Sequence, residues 1–176
     1  MTNDLSLQAL AAEYDTALGY TDALWQDLSQ DETHWRPNEN SSAIAWHLGH
    51  QAAVAHFMIR NLTAAEPSPD PELDGVMDSA TAETQRGDLP ELARIGGYRD
   101  AVAERVRFRV GEIDAGRVGA PEQLVKIAET MLTAIINHEY QHAKWVGEVR
   151  VDQFNKPLPA MPDSQNLKEL DGYLMI

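Results

Sequence analysis

The stretch that decides the fold is Leu124–Val149, LVKIAETMLTAIINHEYQHAKWVGEV. Leu124, Ala128, Met131, Ile135, His138, His142, Trp145 and Val149 follow one another at spacings of 4, 3, 4, 3, 4, 3 and 4. That period is one face of a helix. Two histidines take seam positions where apolar residues belong. An i, i+4 pair lies about 40° apart around a helix axis, so both imidazoles look the same way. Burying two imidazoles is costly unless each finds a partner. A bound metal supplies that partner, because it takes the neutral ring through its lone pair.

Working outward, Pro121 opens this helix, which is expected to reach about Arg150. A first helix carries Leu7, Leu10, Tyr14, Ala17, Thr21, Leu24 and Leu28 at alternating spacings of 3 and 4. The segment 31–40, with Pro37 and two asparagines, breaks the pattern. Ser41 or Ser42 can cap a second helix running to about Leu62. Ala43, Trp46, His50, Ala53 and Phe57 form one of its lines, and Ile44, His47, Val54, Met58 and Leu62 the adjacent one. Three prolines, at 67, 69 and 71, mark 66–74 as a loop. A third long helix starts near Asp88, with that residue as cap and Pro90 in the first turn, and ends near Ile113. Gly96 and Gly97 weaken or kink it.

No strand pattern of convincing length appears. The expectation is all-α: a single helix-bundle domain over 1–176, with the bundle at about 5–150 and an extended tail over 151–176. The tail packs down through Tyr173, Leu174 and Met175. The 66–74 loop is long enough to leave simple up-down order open.

Composition narrows the chemistry. The chain of 176 residues has no cysteine, which excludes a thiolate metal site, a disulfide scaffold and a cysteine nucleophile. The formal net charge is −14, a field that repels phosphate backbones, so no nucleic-acid partner is expected. The N-terminus lacks the pattern of a signal peptide, and no apolar run nears the roughly 20 residues that span a bilayer. A cytoplasmic protein without a membrane partner is the default.

His50 also sits in an apolar stripe, with His47 one turn earlier. Imidazoles converging from two helices of one bundle make a metal site the better reading than polar residues satisfied in a core. Two motifs then carry a family resemblance. HWRPNENSSAIAWHLGH (His34–His50) resembles the first motif of the DinB/YfiT-like superfamily of metalloenzymes, where a Trp-x-Pro turn precedes the helix bearing the first ligand. INHEYQHAKWVGEVR (Ile136–Arg150) resembles the second, a His-x-x-x-His pair on the last bundle helix. The resemblance implies an antiparallel four-helix bundle of DinB type holding a divalent metal on His50, His138 and His142. His47 has no ligand counterpart and is a pocket candidate. His56, on another face, reads as a surface or packing residue, and His34 as exposed.

Three imidazoles leave the coordination sphere open, which is the arrangement of catalytic rather than structural sites. Zinc, nickel and iron all suit imidazole and are not distinguished. Relatives in the superfamily include thiol-dependent S-transferases, a mycothiol-dependent maleylpyruvate isomerase and iron-binding domains of sulfoxide synthases. The resemblance therefore implies a metal-dependent transferase or isomerase using a low-molecular-weight thiol and a small-molecule substrate. The alternative is a non-catalytic metal-binding or ligand-sensing protein.

The string His138-Glu139-Tyr140-Gln141-His142 also fits the His-Glu-x-x-His pattern of zinc proteases, with Glu139 as base. No histidine follows His142 to complete that set, so a hydrolase is the weaker reading. Glu139 remains a pocket candidate, with an exposed helix glutamate as its ordinary role. The third long helix carries five arginines. Arg105 and Arg109 share a face and are candidates for contacting a carboxylate or thiol cofactor. A homodimer is expected from the resemblance and from apolar surface on the first and third long helices.

Overall fold

The computed structural model describes residues 5–63, 65–85 and 87–176. Four long helices carry the architecture: α1 (Leu7–Trp25), α3 (Ile44–Ile59), α5 (Leu92–Asp114) and α6 (Pro121–Phe154). Short helices α2 (Gln30–His34) and α4 (Pro71–Val76) interrupt the links, with a 3-10 turn at Glu83–Gln85. α1 packs on α6, and α3 on both α5 and α6. Contacts of α5 with α1 and α6 close the ring. The core runs between them, and Leu10, Ile44, Leu48, Ile95, Ile113 and Leu132 are among its fully buried side chains.

The first helix follows its sequence pattern. Leu7, Leu10, Tyr14, Ala17, Thr21 and Leu24 are all buried, and Ser6 caps the helix by accepting from Ala9 N–H at 3.2 Å. Several boundaries differ from expectation, for local reasons. Ser29 and Glu32 form a reciprocal capping box, so α2 nucleates inside a stretch that reads as broken. Ser42 does not cap α3; its hydroxyl donates to Glu83, and Ala43 occupies the cap position with no side-chain bond. The proline-rich loop contains α4, because Asp70 accepts from Leu73 N–H at 3.2 Å and Pro71 fills the first helical position. Asp88 is not the cap of α5. That helix begins at Leu92 behind Glu91 and continues through Gly96 and Gly97.

The tail is not wholly extended. Lys168–Leu170 and Tyr173–Met175 pair as an antiparallel hairpin, joined by Asp171 and Gly172, both at positive φ (51° and 80°). Asp-Gly is the sequence that such a turn demands. The hairpin packs on α6, as expected of Tyr173–Met175. Ile176 N–H donates to Asn137 Oδ1 at 2.9 Å. Upstream, Ser164 and Asn166 donate to Glu13 of α1 at 2.6 and 2.7 Å.

Candidate metal centre

α3 and α6 bring His50, His138 and His142 together. One ring nitrogen from each lies within 4.8 Å of the other two. Ring centroids are 4.4 Å apart for His138–His142, 5.0 Å for His50–His142 and 5.2 Å for His50–His138. His50 and His142 are buried and His138 is half-buried. Burial and the neighbouring imidazole of His50 push His138 down to about 4. Burial and the three surrounding imidazoles push His142 down to about 2. Both rings are therefore neutral at pH 7, the form that offers a lone pair to a metal. Among the described residues this is the one such group of histidines and carboxylates.

Hydrogen bonds orient two of the three rings. His50 Nδ1 donates to the Met77 carbonyl at 2.8 Å, which leaves Nε2 as its lone-pair atom. His142 Nδ1 lies 2.8 Å from His47 Nδ1, so one of the two carries the proton and the other accepts. His47 thus touches a ring of the trio without joining it. The Trp46 ring stacks on His50 at 4.5 Å and 11°, and its Nε1 donates to the Val76 carbonyl at 3.2 Å. Gly49 permits this arrangement: a Cβ there would stand 2.5 Å from the Met77 sulfur. Met77 can therefore lie close over α3 and present its carbonyl to His50.

The candidates outside the trio fall elsewhere. Glu139 is not an exposed helix glutamate; it is 3 % exposed and ion-paired to Arg99 at 2.9 Å. Arg99 also donates to the Leu48 carbonyl and Gln51 Oε1, both at 3.1 Å, and lies 3.4 Å from Asp22. Gln51 returns a bond to the Glu139 carbonyl oxygen at 2.9 Å. This network links all four long helices directly behind His50 and His138. Arg105 donates to the Pro67 carbonyl at 2.5 Å, and Arg109 pairs with Glu66. Both arginines thus bind the loop before α4 and are not brought to the histidines. His34 is half-buried, with Nε2 2.8 Å from the Pro90 carbonyl oxygen. His56 is buried rather than on the surface.

Sequence reasoning missed Arg99, which was one arginine among five. The available signal was its place three positions before Val102, on the apolar side of the helix.

A bundle presenting three imidazoles toward one point defines a helical protein with a candidate metal centre. The model of the DinB superfamily matches residues 13–146, and the chain belongs to that superfamily. No curated protein matches the chain. The matched span contains all three histidines and ends before the C-terminal hairpin.

Proposed function

We propose that this chain is a metal-dependent enzyme that joins a small thiol to an electrophilic small molecule, or performs related transferase or isomerase chemistry. The observation that carries the reading is the set of three converging imidazoles with no fourth histidine or carboxylate in the group among the described residues. Such a donor set fits a divalent metal with an open position. Held there, the metal would lower the pKa of a thiol or water in that position.

The chain's own residues do the rest. Met77 and His47 fix the rings of His50 and His142, and Trp46 covers one face of His50. The buried Arg99–Glu139 pair holds α5 to α6. That pairing also speaks against the protease reading, since the Glu139 carboxylate is held by a guanidinium. The reading takes the four long helices as the antiparallel bundle of the superfamily, in one cytoplasmic domain that forms a homodimer. It names a small molecule and a thiol as partners, and neither nucleic acid nor membrane. Among the described residues, no helix is long and apolar enough to cross a membrane.

The test is turnover. Zinc-, nickel- and iron-loaded samples are assayed with L-cysteine as thiol and monobromobimane as electrophile. Metal-dependent acceleration that His142→Ala abolishes supports the enzyme. Bound metal without acceleration for any of the three would favour a non-catalytic metal-binding protein.

A further inference from the structure

One helical stretch beyond His50, α3 buries an imidazole that the metal centre does not use. His56 is 1 % exposed, and neither ring nitrogen has a hydrogen-bond partner. Burial holds it below its usual titration range, so it is neutral at pH 7. A neutral imidazole offers one donor and one acceptor, and here both are unmet. Native interiors rarely leave such groups unpaired, so each one needs an explanation.

His56 lines a cavity of about 420 Å³ that His50 also lines. Arg60 borders the same cavity, one helical turn after His56. Its guanidinium rests over the Phe57 ring, 5.1 Å from the centroid. Among the described residues, no carboxylate lies within ion-pairing distance of it. α4 and the residues after it contribute Asp74 and Asp78. Asp74 accepts from the Tyr98 hydroxyl at 2.6 Å, and Asp78 accepts from Ala80 N–H at 2.8 Å.

We propose that this cavity is a recognition subsite beside the histidine trio, and that it takes a small hydroxycarboxylate, with the carboxylate on Arg60 and the hydroxyl on His56. It rests on the metal reading only for its place next to the reacting atoms; the binding itself needs no metal. The planar fork of arginine matches a carboxylate. A hydroxyl suits a neutral imidazole in either tautomer, since it can accept from the ring N–H or donate to the ring's lone-pair nitrogen. Residues at i and i+4 have Cβ atoms about 5–6 Å apart, so the two ligand groups are a few bonds apart. The carboxylate of Asp74 repels a dianion such as phosphate more than it repels a singly charged carboxylate.

The experiment titrates the full chain, both zinc-loaded and metal-stripped, with L-lactate, β-hydroxybutyrate, acetate and inorganic phosphate. Long-range nitrogen–proton correlations of the histidine imidazoles give the readout. The expected result is a saturable shift of the His56 signals with a hydroxy acid in both samples. Affinity is expected to fall at least about tenfold in Arg60→Met, read on His56, and in His56→Phe, read on His50 of the same cavity. Arg117→Met, whose guanidinium pairs with Glu112 and does not line this cavity, leaves it unchanged. Arg60 is only half-buried, so Arg60→Met keeps the test alive if His56→Phe misfolds. No saturable shift with either hydroxy acid overturns the proposal. So does unchanged affinity in Arg60→Met, tighter binding of phosphate, or binding confined to the zinc-loaded sample. The metal reading is judged separately by zinc content, which both variants are expected to retain.

Discussion

Arg99 on α5 donates to the carboxylate of Glu139 on α6 at 2.9 Å, with both side chains sealed from solvent. Glu139 follows His138 in sequence, and Gln51, which follows His50, bonds to both members of the pair. The ion pair therefore stands directly behind the two helices that carry the histidines.

Glu139→Gln removes the charge partner and leaves Arg99 with Asp22 at 3.4 Å as its nearest carboxylate. Breaking a buried pair from one side costs about 3–5 kcal/mol. Urea denaturation of the metal-free protein should show a loss of that order. Zinc bound per folded chain should not change. A loss below about 1 kcal/mol, the scale of an exposed pair, would contradict this role.

Gly49→Ala tests the close approach of Met77. The added Cβ would meet the Met77 side chain at 2.5 Å, and that side chain is fully buried and has little room to move. Overpacking of this kind costs about 1–3 kcal/mol. Because the Met77 carbonyl also orients His50, zinc affinity should fall with stability. Equal affinity in both proteins, measured by competition with a chelator, would show that the carbonyl contact does nothing for the ring.

Much of this was legible in the sequence. The 3–4 spacing of Leu7 to Leu24 placed α1's buried face correctly, because apolar positions there are unbroken. The two histidine motifs placed the trio. On α6 the deepest line is Leu132, Ile136, Glu139, Ala143, Val146 and Arg150, one residue on from the apolar stripe that the sequence suggests. That line includes two charged residues, so hydropathy hides it. Arg150 is buried by bonds to the Leu24 carbonyl at 2.9 Å and Asp27 at 2.5 Å, neither of which local sequence reveals. His56 shares a cavity lining with Asp74 of α4, a helix set by the cap Asp70 and Pro71 within a stretch that reads as loop.

His47→Leu removes the partner of His142 Nδ1. Loss of a residue that orients a ligand typically weakens metal binding about 10–100-fold. His47→Gln keeps a polar group in place and should recover part of that loss. If His47→Leu binds zinc as tightly as the parent, the contact between the two rings is incidental.

Acidification should weaken the metal-free protein through His56. Its folded pKa is lowered from 6.5 by burial, so below that pH the unfolded chain takes up a proton that the folded chain resists. Stability is full above pH 6.5 and falls as the pH drops below it. His56→Phe removes this contribution, so its melting temperature should change less between pH 7 and pH 5. Identical slopes for the two proteins would mean that His56 charges freely in the folded state.

The most direct test is a zinc titration of the untagged, metal-stripped protein beside its His138→Ala/His142→Ala variant, with folding of both confirmed by circular dichroism. One zinc per chain in the parent and none in the variant is the expected result. A folded variant that still binds one zinc per chain would contradict the metal centre on which this account rests.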